Sequence, residues 1–237
     1  MAKYDEWLSS QIGFDAYHFD PAVLPENQLA KMTVADTWFG DVKIGVREPL
    51  KVATFTGFGF NLVDTNVQLT LKKSGSVNNQ YLASCYSRFS TAQDEQLVRV
   101  IAANSFVHDR FHADPHIADE TASNIKTNWA ENFFTGKRGD WMVVAEIDGE
   151  IGGFLQLLAS TDEKLVIDLI AVATSHQGKG LASDMIAFAR ENCLAGQDIL
   201  VGTQLANVAS LTLYQKLGFQ IQSSSHMLHY HHIGTGK

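Results

Sequence analysis

The second half of the chain carries the clearest alternation of apolar and polar positions. Trp141-Met-Val-Val-Ala-Glu-Ile147 has strand composition, and Asp148-Gly149 after it is a two-residue hairpin turn. The return strand is expected over Ile151 to Leu158, with Gly152-Gly153 as a bulge. Thr161-Asp162-Glu163 reads as a turn into a third strand, Leu165 to Ala173. That strand is apolar on both faces apart from Asp168, which places it in the interior of its sheet. Thr174-Ser-His-Gln-Gly-Lys-Gly180 then enters a helix on which Leu181, Met185, Phe188, Ala189 and Cys193 recur, with Gly196 to end it. Ile199 to Thr203 predicts another strand. Asn207 precedes a helix marked by Leu211, Tyr214 and Leu217, Gly218 stops it, and a last extended stretch runs from Phe219 to His231.

Upstream, Thr91-Ala-Gln-Asp94 is a variant capping box opening a helix through Ile101. Ala122, Ile125, Trp129 and Phe133 form the apolar stripe of a second helix that ends near Gly136. Residues 89–237 therefore read as one α/β domain. Residues 1–88 show strand-like runs and poor helical periodicity, as expected of a smaller N-terminal domain on the acceptor side of any site. One echo links the two parts: Gly59-Phe60 followed by alternating residues to Leu69 resembles Gly218-Phe219 followed by alternating residues to Leu228, an offset of 159 residues (218 − 59). Either this is chance, or the N-terminal segment is a degenerate half-copy that kept a strand and lost the glycine loop.

Composition narrows the function. The 237 residues are 45% hydrophobic and 19% charged, the balance of a globular protein. A formal net charge of −8 argues against a general nucleic-acid binder, which needs surplus Lys and Arg. It leaves room for a phosphate-bearing small ligand, since backbone amides can hold one locally. The opening MAKYDEWLSS has no apolar core of a signal peptide, and no apolar run approaches ~20 residues. Cys85 and Cys193 lie far apart without metal-type spacing. The expectation is a cytoplasmic, reduced protein without nucleic-acid or membrane partners.

The candidate chemistry starts at Gln177-Gly-Lys-Gly180-Leu-Ala182. It follows an apolar strand and opens an amphipathic helix, where unpaired N–H groups and the helix dipole suit a pyrophosphate. It is not a P-loop, which needs a Lys-Ser/Thr ending, and it is not G-x-G-x-x-G. His112, Asp114 and His116 cluster after an apolar segment as a metal site, a substrate contact or a structural turn at Asp114-Pro115; metal is the weakest of these, and none is expected. Asp168 either points into a substrate cleft or caps backbone. His176, His226, His229, His231 and His232 are expected to be solvated and without a role.

In order and spacing, the strand Leu165–Ala173, the Gln177-x-x-Gly180-x-Ala182 loop and the Asn207…Leu213-Tyr214-x-x-x-Gly218-Phe219 segment resemble the GNAT superfamily of N-acetyltransferases, over roughly residues 140–231. The resemblance implies a mixed α/β fold with a mostly antiparallel central sheet flanked by helices. It further implies acetyl-CoA as cosubstrate, its pyrophosphate on the amides of Gln177, Gly178, Lys179, Gly180, Leu181 and Ala182. Ile170, Ala171 and Val172 would pair with the pantetheine arm, Asn207 would support the cofactor, and Tyr214 would be the catalytic acid. The segment Asp109-Arg-Phe-His112-Ala-Asp114-Pro115-His-Ile117, the Trp129 helix and the Gly-Phe strand near residue 60 extend the likeness over almost the whole chain. There it is similar to the branch that acetylates the 4-amino group of nucleotide-linked dideoxysugars. The partner this implies is a small-molecule amine of that kind, with His112, Asp114 and Asp168 as substrate contacts and a homodimer as the allowed assembly. Other readings are acetylation of another small amine or a peptide amine, or a regulator that binds acyl-CoA without transfer.

The reaction sets its own demands. An amine attacking a thioester passes through a tetrahedral oxyanion and expels a thiolate, so it needs a deprotonated amine, an oxyanion donor and an acid. A backbone N–H at a distortion near Ile170–Val172 would serve the oxyanion. Tyr214, a phenol of ordinary pKa ~10, would protonate the thiolate. No base is evident.

Overall fold

The computed structural model describes residues 1–75, 85–193 and 196–235. Among them, the strands are β1 (Lys3–Tyr4), β2 (Asp15–Phe19), β3 (Trp38–Gly45), β4 (Asn61–Leu71), β5 (Cys85–Phe89), β6 (Trp141–Ile147), β7 (Glu150–Ala159), β8 (Leu165–Val172), β9 (Ile199–Gln204) and β10 (Gln220–His232). They form one sheet in the order β1-β2-β3-β10-β4-β9-β8-β7-β6-β5. Pairing is antiparallel except for β2 with β3 and β8 with β9. The helices are α1 (Glu6–Ile12), α2 (Pro25–Leu29), α3 (Pro49–Gly57), α4 (Glu95–Ser105), α5 (Asp119–Phe134), α6 (Leu181–Asn192) and α7 (Val208–Lys216).

The elements expected in the second half are present within a residue or two at each end. The capping box is complete on the 3-10 turn Ala92–Asp94 that leads into α4, with Thr91 N–H donating to Asp94 Oδ2 at 2.7 Å. The bulge in the β6–β7 hairpin falls on Gly152, between the pairs Glu146–Ile151 and Ala145–Gly153. The N-terminal part differs from its strand-like reading, because α1 and α3 are helices of seven and nine residues. Such lengths hold too few turns for a periodic stripe, and the signals that remain are local. For α1 these are Asp5, whose carboxylate accepts from Leu8 N–H at 2.9 Å, and Gly13 at φ 82°.

Helices cover both faces. One core packs Leu181, Met185 and Ile186 of α6, Tyr214 of α7 and Leu217 just after it on Val143, Leu155, Leu165, Ile167 and Val201. The other packs Val98, Ile101 and Ala102 of α4 and Ala130 of α5 on Met142, Val144, Phe154, Leu169 and Ala171. Strand β8 thus changes sides along its length. The register explains this: Gln156 faces Leu169 but Leu157 faces Ile167, so Asp168 is an extra residue. One inserted residue flips every later side chain to the other face. The distortion expected near Ile170–Val172 lies instead at Asp168.

The echo noted in the sequence has a counterpart in space. Helices α3 and α7 have matching bounds at an offset of 159 (208 − 49 and 216 − 57), as do the starts of β4 and β10 (220 − 61). The pairing Ser225–Gly45 and Met227–Lys43 between β10 and β3 recurs, with 159 moved from one partner to the other, as Asn66–Gln204 and Gln68–Gly202 between β4 and β9. Asn66 pairs with Ser225, its own equivalent. The units β3–α3–β4 and β9–α7–β10 are therefore related by an approximate two-fold axis at that pair, with β4 lodged between β9 and β10. The boundary expected near residue 88 falls within β5, and the N-terminal strands share the sheet.

Candidate functional site

Strands β8 and β9 pair in parallel only from Leu165–Ile199 to Ile167–Val201. Beyond that point β8 continues to Val172 and β9 to Gln204, and the two diverge. Gly202 on the diverging part has no side chain, and a Cβ there would come within 2.9 Å of Gln68 Nε2. This opening leads into a cleft of about 930 Å³.

One side of the cleft is the start of α6. Gly178 and Gly180 take φ of 76° and 88°, values L side chains resist, and Gly180 is the N-cap. Gln177, Gly178, Gly180, Leu181 and Ala182 line the cleft, as do Ile170, Ala171, Val172 and Asn207. Lys179 belongs to the same turn, is exposed, and is not among the lining residues. Asn207 caps α7, its Oδ1 accepting from Ser210 N–H at 3.1 Å. An exposed amide turn of this kind, next to a glycine floor between parting strands, fits a long phosphorylated thiol ester. Tyr214 borders the cleft with 2% of its surface exposed. Burial holds its phenol well above the ordinary range, so it stays protonated at neutral pH.

The other side is built by α4, α5, the segment between them, and the N-terminal strands. Ser105 to Phe111, Lys126, Trp129, Lys43, Asp64, Asn66 and Gln68 line it. Lys126 is buried, its ammonium over the rings of Phe106, Phe111 and Trp129 at 5.4, 5.8 and 5.1 Å. Burial pushes its pKa down. Arg110 pairs with Asp41, which also binds His18 Nδ1 at 2.7 Å, while His18 Nε2 meets Asp5 at 2.8 Å. Burial alone would raise the Asp41 carboxyl, but Arg110 and His18 together hold it well below the usual range.

The three residues expected to contact substrate are placed differently from that expectation. Asp168 borders the cleft, but its carboxylate is filled: Oδ2 accepts from Trp129 Nε1 at 2.8 Å, Arg138 Nε at 2.7 Å and Gln156 Nε2 at 3.1 Å, and Oδ1 from Arg138 Nη2 at 2.6 Å. It fastens α5 to β8. His112 lies outside the lining residues, bonded to Asp109 at 2.6 Å and Ser123 at 3.3 Å. Asp114 is also outside, 2% exposed, with Oδ2 meeting His229 Nδ1 at 2.6 Å and His231 Nε2 at 2.7 Å.

His229 was expected in solvent and is instead buried, because β10 runs through the middle of the sheet rather than along an edge. Burial pushes its pKa down. These donor atoms lie within 4.8 Å of one another. Each histidine satisfies Asp114 directly, and the cluster ties the segment after Phe111 to β10. Asp64, Lys43 and Lys126 were missed in the sequence. The signal available for Asp64 was the polar alternation Asp64, Asn66, Gln68 in β4, facing away from Val67 and Leu69.

Residues 138–221 match the family model described as acetyltransferase (GNAT) domain. Streptothricin acetyltransferase of Escherichia coli is 37% identical over 135 residues, covering 54% of this chain and 78% of that one. The Bacillus subtilis spore coat polysaccharide biosynthesis protein SpsD is 33% identical over 146 residues, 61% of this chain but 49% of its own. The chain thus spans about half of that relative. The dTDP-fucosamine acetyltransferase of Escherichia coli is 28% identical over 176 residues, 72% of each chain. The fold matches a GNAT crystal structure from Sphaerobacter thermophilus with a TM-score of 0.59 at 11% identity, over 90% of this chain and 66% of that one. The chain belongs to the GNAT acetyltransferase family. Its sheet is mixed and mostly antiparallel and flanked by helices, and none of its described helices is long and apolar enough to cross a membrane.

Proposed function

We propose that the protein transfers the acetyl group of acetyl-CoA to the 4-amino group of a nucleotide-linked amino-dideoxysugar. The observation that carries this reading is the two-ended cleft. Its cofactor end offers the amides from Gln177 to Ala182 for the pyrophosphate and the free edge of β8 at Ile170–Val172 for the pantetheine arm. Its acceptor end gathers Lys43, Arg110 and Lys126 with the rings of Phe106 and Trp129. Cations suit a diphosphate, and aromatic faces suit a base or sugar ring, in a chain whose overall charge of −8 would repel such a ligand elsewhere. The names of two relatives, a dTDP-fucosamine acetyltransferase and a spore coat polysaccharide biosynthesis protein, agree with a sugar acceptor.

In this reading Tyr214 gives its proton to the departing thiolate, and its high pKa keeps that proton available. Asn207 fixes the turn between β9 and α7 beside the cofactor. Residues 1–88 furnish acceptor contacts through Lys43 and Asp64, not cofactor contacts. The test is thiol release from acetyl-CoA against a panel of amines. dTDP-4-amino-4,6-dideoxygalactose should be turned over at least ~100-fold better, by kcat/KM, than lysine peptides or polyamines. Equal turnover of a peptide would overturn the substrate class. A small cationic metabolite is the second reading, favoured by the likeness to a streptothricin acetyltransferase.

A further inference from the structure

Three carboxylates line the cleft: Asp64, Asp109 and Asp168. Asp168 is filled by the four donors described above. Asp109 accepts from Phe111 N–H at 2.9 Å on one oxygen and meets His112 Nδ1 at 2.6 Å on the other. Asp64 is different. Its Oδ1 accepts from Thr65 N–H at 2.6 Å, while its Oδ2 is buried with no partner among the described residues. An unmet buried acceptor is costly, and more so when charged, and Asp64 is the only carboxylate among the unpartnered buried atoms of the described residues.

Its placement is set by the sheet. Asp64, Asn66 and Gln68 alternate onto the α4–α5 side, where Lys43, Met227 and Asp64 form a row across β3, β10 and β4. Strand β4 borders β9, the strand that parts from β8 at the cofactor opening. An acceptor reaching that opening therefore passes the orphan oxygen. We propose that Asp64 is the base that binds and deprotonates the acceptor amine, an assignment that rests on the acetyl-transfer reading of this cleft.

The protons balance as follows. Bound R–NH3+ gives one proton to the Asp64 carboxylate, and R–NH2 attacks the thioester carbonyl carbon. The new C–N bond forms, the C–S bond breaks, and the thiolate takes a proton from Tyr214. The second proton lost by the nitrogen restores Tyr214, and Asp64 returns its proton to solvent, so one proton is released per turnover. Burial raises the Asp64 carboxyl above its ordinary value and Asp109 adds to this, against a lowering by the Thr65 N–H, by Arg110 and by the nearby Gln204 side chain. Lys43 from β3 and Lys126 from α5 are the other charged groups that line this side of the cleft. From β10, His226 bonds Thr65 on the opposite side at 3.1 Å.

The test is Asp64→Asn, which keeps the shape, assayed with the best amine of the panel. At pH 7 kcat/KM should fall ~10²–10⁴-fold with unchanged acetyl-CoA affinity. The acid limb of the wild-type profile should vanish, and the variant should gain about tenfold per pH unit as the amine deprotonates in solution. Independently of any acceptor, the carboxyl 13C resonance missing from the variant should titrate in the wild type above the ordinary Asp value of ~3.9. A kcat/KM within threefold of wild type overturns the proposal. So does an acid limb that survives, which would point to the exposed cleft residue His108, or an ordinary titration. If a different amine from the panel proves to be the substrate, the sugar reading fails while Asp64 is still tested.

Discussion

Phe55 and Tyr214 occupy the same place in two copies of one strand–helix–strand unit (214 − 55 = 159). Each carbonyl accepts from the N–H of a Phe five residues on, Phe60 at 3.2 Å and Phe219 at 2.9 Å, across a glycine at φ 94° or 90°. Each ring packs on that Phe, at 5.1 and 5.3 Å. Only Tyr214 carries a hydroxyl, and among the described residues only its copy has an opening between parting parallel strands. In the other, β2 stops at Phe19 opposite Val42, the equivalent of Val201, and Lys43 stands where Gly202 leaves space. In the proposed reading the first copy serves as acceptor wall.

Replacing Tyr214 with Phe should therefore copy position 55 and keep the fold, since the hydroxyl makes no hydrogen bond among the described residues. Steady-state kinetics should show kcat and kcat/KM falling together by ~10²–10⁴-fold, the mark of an interaction made only in the transition state. Near-wild-type kcat would make Tyr214 a packed aromatic and nothing more.

Gly180→Val places a branched side chain at φ 88° and over the amides that would hold a pyrophosphate. Calorimetric titration should show acetyl-CoA affinity down at least ~10-fold. Thermal unfolding without ligand should report only the local strain, about 1–2 kcal/mol. Unchanged affinity would remove the turn from the cofactor site.

Lys43→Ala should raise KM for a nucleotide-linked acceptor about 10-fold while kcat and acetyl-CoA affinity hold. Lys43 is exposed and makes no ion pair among the described residues, so its loss should not disturb folding. An unchanged KM would take Lys43 out of acceptor binding.

Asp41→Asn leaves Arg110 without its partner and should destabilise the protein by about 3 kcal/mol at pH 5, where the native carboxylate is fully charged. Asp41 has its folded pKa depressed, so its contribution is present above the unfolded value of ~3.9 and lost as pH falls through the folded one. Denaturant titrations should show the gap between variant and wild type shrinking below about pH 4. A gap that does not change with pH there would contradict this.

The cofactor half was legible because its signals are local: Asp148-Gly149, the glycines at 178 and 180, and Asn207 at a helix start each dictate backbone within a few residues. The acceptor half was not, because its contacts are distant in sequence. Arg110 meets Asp41 and Asp114 meets His229 only once β10 lies between β3 and β4. Asp168 looked like a cleft carboxylate, and no spacing rule announces that Trp129, Arg138 and Gln156 converge on it. The echo at Gly59 and Gly218 was legible, but its meaning lay in the register.

The measurement that bears most directly on this account compares kcat/KM for dTDP-4-amino-4,6-dideoxygalactose with that for the same amino sugar lacking the nucleotide, as its methyl glycoside. If Lys43, Arg110 and Lys126 receive the diphosphate, the nucleotide-linked sugar should be preferred by at least ~100-fold, and the preference should weaken with added salt. Equal kcat/KM for the two would contradict a nucleotide-sugar acceptor.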